Sequence, residues 1–499
     1  MFKSQFNGID SKRLGLFAAL FAIILVLIVY PYATSGFYGD DRIHSLLEGE
    51  LALSGRSRLD VVLEWIRGWR SQGREFPVSA LLAGYVYNKN LHVYHVWTLG
   101  LTALSSAAAS AVLARISGRA FLKTWLFALC LFQLRAYHDP ITSYAAMMQA
   151  LVLFGALAIW FALPPPPDRP DSSIRLLLSL FFFVLALATY EPALAFFPVL
   201  LMAHRRRGFL GALPVSMVAG AWLMRQLWLR SQASGSYSGT SIRLGHAWTV
   251  AEAFFQQFTG ALPGSNGLLH LYRHQVPAGG ADFGVGMIFP AAVLGITVAA
   301  AWILHGRGRA LPGTRDALLL ATTGISLSLI PPGLIALSPK YQEELKWGLA
   351  YLPVYLQYFG IVALVYWTLD ALPAQFHKIP ASVFGIGIGL MAAFHLIANL
   401  HARNLQNLAQ QAPRDTVLRA LQLGLADRLT GPDPTLVAED CQHVYWLNRS
   451  FFMTYIGRPI HVICHDHPSA RDPGRWWLTL PIGPSWLEVK NGSERHRYE

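Results

Sequence analysis

Gly36-Phe37-Tyr38-Gly39-Asp40-Asp41-Arg42-Ile43-His44 is the stretch from which the rest of the chain can be read. It follows directly on an apolar run, residues 14–32, that is about long enough to cross a bilayer. Two adjacent carboxylates therefore stand where the chain leaves the membrane. Ionisable groups at an apolar boundary are costly unless partnered, which makes the pair a functional-site candidate. The plain alternative is a solvated charge cluster that only stops translocation. The other polar motifs along the chain weigh against it.

With 54% hydrophobic and 14% charged residues and a mean hydropathy of +0.37 over 499 residues, the chain is too apolar for a soluble domain of its size. It reads as an all-α polytopic membrane protein. The net charge of +12 comes from Lys and Arg in short connections between apolar runs, the orientation signal of a membrane protein, so nucleic acid is not expected as a partner. Three cysteines without a C-x-x-C pair argue against a thiolate metal site or a disulfide-dense fold. Lys3, Lys12 and Arg13 ahead of the first run predict an uncleaved first helix with a cytoplasmic N-terminus.

Residues 39–90 form a long polar connection containing an amphipathic helix, with Leu59, Val62, Leu63 and Ile66 at helical spacing and Trp65 and Trp69 suited to an interface. Further spans are expected near 91–113, 121–134, 141–163, 174–189, 192–203, 208–229, 283–304, 317–337, 348–369 and 381–400. Arg115, Arg119, Lys123, Arg205, Arg206, Arg207, Arg307, Arg309, Arg315, Lys378 and a stiff proline-rich linker at 164–170 mark one side. Asp40, Asp41, Asp139, Glu191 and Lys340 fall on the other, by a count of about eleven spans with the C-terminus outside.

The chain divides into a membrane domain, 1–400, and a small external α/β domain, 401–499. In the latter, Val417, Leu418, Leu421 and Leu425 make one helical stripe, and 461–464, 477–480 and 486–489 read as strands. His461, His465, Asp466 and His467 cluster without a recognisable ligand spacing, as surface histidines often do. Cys441 and Cys464 would share the oxidising compartment, where a disulfide and a buried free thiol both stay open. Asn448-Arg449-Ser450 fits a glycosylation tripeptide that is frequent by chance.

The single helix leading to an external loop that opens with an Asp pair, the further acidic corners on the same face and the external C-terminal domain together resemble the GT-C class of integral-membrane glycosyltransferases. Gln72-Gly73-Arg74-Glu75-Phe76-Pro77, Tyr137-His138-Asp139-Pro140, Thr189-Tyr190-Glu191-Pro192 and Lys340-Tyr341-Gln342-Glu343-Glu344-Leu345 are similar to phrases in bacterial polytopic proteins of the O-antigen glucosyltransferase type. The resemblance covers roughly residues 1–400. It implies a multi-pass protein of the bacterial inner membrane that moves a sugar from a polyprenyl-phosphate-linked donor, with inversion, to a glycan or lipid acceptor on the external face. Contiguous Asp40-Asp41 departs from the Asp-x-Asp of metal-using relatives, so dependence on a divalent metal ion stays open.

The residues fit that chemistry independently of the family. Displacing a lipid phosphate needs a base for the acceptor proton, and a partly desolvated carboxylate at the membrane edge suits it. Asp40 is the expected base and Asp41 the residue that orients a partner or metal. His44, His138, Asp139, Tyr190, Glu191 and Tyr341 are candidates to position donor or acceptor. Arg42, Arg74, Arg230, Arg243, Arg273 and Lys340 are the candidate phosphate ligands. A transporter or lipid flippase, with ionisable groups in mid-span, and a ligase joining completed glycans to lipid are the competing classes.

Overall fold

The computed structural model describes residues 11–37, 39–135, 138–165, 172–205, 208–234, 237–239, 241–243, 246–265, 285–304, 314–372, 381–429, 434–472, 475–480, 486–491 and 494–498. Arg206, Arg207, Arg273, Arg307, Arg309, Lys378, Tyr38, Tyr137 and most of the 164–170 linker lie outside them.

A helix stands at every apolar run named above. Among the described residues seven are long and apolar enough to cross a membrane, where the sequence predicts about eleven spans. Phe121–Cys130 and Ser173–Leu187 are shorter apolar helices. The first of these stops early because residues 131–135 run irregularly inside the protein. Their backbone is answered by side chains: Asn399 accepts from Leu134 N at 2.8 Å and donates to Phe132 O at 3.3 Å. Irregular backbone at membrane depth is tolerated only where the protein satisfies it in this way.

The helices pack on one apolar core that runs from Phe17 to Ala402. Val285–Leu304 and Ala381–Gln406 approach so closely that a Cβ on Gly389 would lie 2.4 Å from the Gly295 carbonyl oxygen. Small residues at such a crossing let dispersion do what the hydrophobic effect cannot do between lipid-immersed helices.

The two ends of the bundle differ in chemistry. At one end Arg119 pairs with Asp370 at 2.6 Å, and Lys123 lies 5.3 Å from the Trp302 ring centroid. At the other end the chain corners at 34–44, 134–144, 188–191 and 337–351 converge with Ser57-capped Arg58–Ser71, with Pro77–Val86 and with Ala247–Gly260. The predicted amphipathic helix is Arg58–Ser71, closed by a capping box between Ser57 and Asp60.

The C-terminal part holds a five-stranded sheet in the order β2-β1-β3-β4-β5, with β1 Thr435–Ala438, β2 His461–Cys464, β3 Trp476–Thr479, β4 Leu487–Asn491 and β5 Glu494–Tyr498. β1 runs parallel to β2 and β3, and β3, β4 and β5 form an antiparallel meander. Sequence reading locates β2, β3 and β4 and misses β1 and β5, the latter a charged run at the sheet edge with little alternation. The core of this unit, around Trp446, Phe451 and Val489, also contains Leu46 from the first connection. Val417 and Leu425 are buried as their stripe predicts, although a turn separates them. His467 caps the turn Pro468–Arg471, and Asn448 caps Arg449–Ile456 through its side-chain oxygen.

Cys441 and Cys464 are disulfide-bonded across 5.0 Å between their Cα atoms, and Cys130 is free and buried in the bundle. Alkylation of the unreduced, denatured protein should therefore label Cys130 alone, and labelling of all three cysteines without reductant would contradict the pairing.

Candidate functional site

Asp40 and Asp41 are neighbours with opposite surroundings. Asp40 is exposed and Asp41 is 1% exposed. The turn carrying them is held from the far end of the chain by three carboxamides. Asn407 accepts from Gly36 N at 2.8 Å, Gln411 from Phe37 N at 3.2 Å and Gln410 from Gly39 N at 2.8 Å. These side chains project from a π-helical turn, Asn407–Gln411, whose wider winding brings three near neighbours onto one strip of loop. A Cβ at Gly36 would sit 2.5 Å from Gln411 Cβ, so this approach requires glycine there.

Asp41 takes donors from three directions. Tyr87 Oη donates to Oδ1 at 2.5 Å, Tyr94 Oη to Oδ2 at 3.1 Å and the Tyr144 backbone N–H to Oδ1 at 3.1 Å. Burial raises the Asp41 pKa to about 7, against those hydrogen bonds and with a smaller push from Asp40. The backbone that Asp41 grips is itself unusual. Tyr144, Ala145 and Ala146 have φ of 60°, 48° and 61°, three consecutive non-glycine residues in the left-handed region. Each costs roughly 1–2 kcal/mol, so the surrounding contacts must hold the turn in place. Tyr94 Oη also lies 3.0 Å from Thr142 O, which competes with Asp41 for its one proton, and accepts from Ala145 N at 3.4 Å.

The turn places the Tyr144 hydroxyl 2.5 Å from His138 Nδ1. Burial, with Lys340 next, lowers the His138 pKa to about 4, and Asp40 opposes this. Asp40 adjoins Asp41, which holds the Tyr144 N–H, and Lys340 adjoins Tyr341, which reaches His138 through Tyr351, so both border the His138 corner. The His138 ring meets Tyr351 edge-on at 4.8 Å, and Tyr351 meets Tyr341 at 4.5 Å. Lys340 Nζ donates to Tyr237 Oη at 3.1 Å, stands 4.0 Å from Glu344 and keeps its side chain 21% exposed.

Arg74 and Glu191 answer each other. The guanidinium donates from Nε to Oε1 at 3.0 Å and from one terminal nitrogen to Oε2 at 2.9 Å, with side-chain exposures of 7% and 15%. Burial works against the Arg74 charge, yet Glu191 and Tyr190 hold its pKa above the ordinary value. Removing one partner of so buried a pair would cost about 3–5 kcal/mol. The pair braces the wall formed by Phe76 and Tyr190, whose rings meet edge-on at 5.5 Å.

The structure therefore gathers Asp40, Asp41, His44, Arg74, His138, Tyr190, Glu191, Lys340 and Tyr341 at one end of the bundle. His44 stacks on Tyr87 at 5.0 Å, and burial lowers its pKa. Asp139 is wholly buried and spent on its own corner, accepting from Arg135 N, Ile141 N and Thr142 N at 2.8 Å each. Arg42 turns toward the C-terminal unit, where Arg414 donates to its carbonyl at 3.2 Å. Arg230 backs the Gly73 turn, and Arg243 is exposed with Glu343 at 3.3 Å. Arg273 lies outside the described residues. Among those described, the one grouping of three His, Cys, Asp or Glu side chains close enough to share an ion is Cys441, Cys464 and His465, far along the chain from the Asp pair and with both sulfurs already joined in the disulfide.

Sequence reading missed the aromatic lining, Tyr87, Tyr94, Tyr144, Tyr237 and Tyr351, together with Tyr445, whose hydroxyl donates to Asp40 Oδ1 at 2.9 Å. Tyr87 and Tyr94 did carry a signal: they stack at 5.7 Å with rings 4° apart, seven positions apart across the Asn90 cap.

No family model matches the chain, and no curated protein matches it. Among solved structures, the chain is similar to the crystal structure of ArnT from Cupriavidus metallidurans bound to undecaprenyl phosphate. The similarity spans 91% of this chain and 86% of that one at 14% identity, with a TM-score of 0.39.

Asp41 has a pH signature that can be measured. Its folded pKa of about 7 exceeds the ordinary 3.8, so between those values the native state binds a proton that the unfolded state has lost. Stability from this group falls as pH rises through that window and levels off above it. The melting temperature of the parent protein relative to Asp41→Asn should decline between pH 5 and pH 7.5. A constant difference across that range would contradict the burial of an ionisable Asp41.

Proposed function

We propose that the chain is a membrane glycosyltransferase of GT-C type, moving a sugar from a polyprenyl-phosphate-linked donor to a cell-envelope glycan or lipid with inversion at the anomeric carbon. The observation that carries this reading is that one bundle end brings an exposed carboxylate, Asp40, and a part-exposed ammonium, Lys340, to the same cluster of His138, Tyr144, Tyr341 and Tyr351. A base and a phosphate-binding cation at one tyrosine-rich corner are what displacement of a lipid phosphate requires.

Asp40 takes the acceptor hydroxyl proton as the oxygen attacks the anomeric carbon. The carbon–phosphate oxygen bond breaks on the opposite side, and Lys340 meets the charge on the departing polyprenyl phosphate. Neutral His138 and the Tyr144 hydroxyl offer hydrogen bonds to the sugar, and the Tyr341 and Tyr351 rings offer it a flat apolar face. Asp41 positions the Tyr144 turn, and Arg74 with Glu191 braces the wall. Asp139 supports its corner and does not reach the substrate in this scheme.

In this reading the Lys- and Arg-rich connections of the sequence, Arg115, Arg119 and Lys123 among them, face the cytoplasm, and the site and residues 401–499 lie outside, in the bacterial inner membrane. In the bundle interior Gln149 Nε2 donates to Thr102 at 3.1 Å and Ser105 meets Tyr355 at 2.8 Å, polar contacts within the helix packing rather than the chain of ionisable groups a transporter would use.

Asp40→Asn keeps shape and removes the base, so sugar transfer should fall by about 100-fold to 10,000-fold at unchanged protein level. Mass spectrometry of surface glycans from cells carrying parent or variant reads the loss directly, and parental decoration by the variant would sink the base assignment. A reporter active only outside the cytoplasm should work when fused after Glu499 and fail when fused at 164–169. The opposite pattern would reverse the orientation.

A further inference from the structure

We propose that Tyr445 is a positioning residue for the Asp40 carboxylate, so that the C-terminal unit completes the site. Among the described residues, the bond from Tyr445 Oη at 2.9 Å is the hydrogen bond that the Asp40 side chain makes, and it spans 405 positions of sequence. Asp40 does not cap its own short helix with its side chain. A carboxylate on an exposed turn would otherwise rotate freely. With Oδ1 fixed by the phenol, Oδ2 is left to receive the acceptor proton.

The segment presenting Tyr445 is anchored on every side. The Cys441–Cys464 disulfide ties it to β2, and His443 Nε2 lies 3.0 Å from Leu480 O. Trp446 and Leu447 are fully buried, while Tyr445 between these anchors is 53% exposed. Folding of the C-terminal unit does not require that ring, and the contact between the two parts is already made by Leu46 in the C-terminal core and Arg414 on the Arg42 carbonyl. Tyr445 therefore makes a contact that packing alone does not explain.

Loss of the phenol leaves the surrounding turn in place and frees the carboxylate to rotate, so the base is aimed at the acceptor in a smaller share of encounters.

This proposal rests on the reading of Asp40 as the base. The test uses detergent-purified full-length protein, radiolabelled polyprenyl-phosphoryl hexoses as donors and extracted envelope glycolipid as acceptor, with parent, Tyr445→Phe and Asp40→Asn measured together. Tyr445→Phe should lower kcat by about 10-fold and leave the donor KM unchanged, at an unchanged melting temperature. Asp40→Asn should be inactive. An inactive Asp40→Asn beside a Tyr445→Phe with parental kcat would overturn the positioning role alone. An active Asp40→Asn would remove the base reading and this role with it.

Discussion

A single buried carboxylate holds the polar end of this molecule together. Asp41 joins the first connection to Tyr87 at the end of Pro77–Val86, to Tyr94 in Leu91–Ser117 and to the backbone of Tyr144. Without the carboxylate the Tyr87 hydroxyl and the Tyr144 N–H would lose the bonds they make to it, at about 1–3 kcal/mol apiece, while Tyr94 Oη would keep Thr142 O. The left-handed run at 144–146 is unfavourable without that support, so the same contact that closes the core also fixes where Tyr144 and His138 point. Structure and site geometry are one problem here, solved at Asp41.

A second constraint comes from the far end of the chain. Ala381–Gln406 emerges from the bundle and passes directly into the π turn whose carboxamides hold residues 36–39. The C-terminal unit is thereby set in place over the Asp pair, and its Tyr445 reaches Asp40. The first connection, in return, lends Leu46 to the C-terminal core. A division of the chain at residue 400 describes the change in composition. The packing is better described as two units that share the 36–54 segment.

What was legible in the sequence was local. Apolar runs, Lys- and Arg-rich turns and acidic corners are each properties of a few adjacent residues, and their alternation put Asp40, Glu191 and Lys340 at one end before any coordinates. The choice between neighbours was not legible. Asp40 and Asp41 differ by one position on a turn, and which is buried depends on Tyr87 and Tyr94, 46 and 53 residues away. Arg74 reads as a phosphate ligand until Glu191, 117 residues on, is seen to occupy its fork. Asp139 reads as a site acid until its oxygens are found on three backbone N–H groups of its own corner. Strand β5 escaped for a related reason: a charged edge strand is specified by the neighbour it pairs with more than by its own pattern.

The central claim is that a polyprenyl phosphate docks at the end of the bundle where Lys340, His138 and Asp40 meet. Photolabelling of the full-length protein with a diazirine-bearing polyprenyl phosphate, followed by peptide mass spectrometry, tests it most directly. The account predicts labelled peptides from residues 337–351 and 138–146, competed by unlabelled polyprenyl phosphate. Labelling confined to the opposite end, around Arg119 and Asp370, would contradict it.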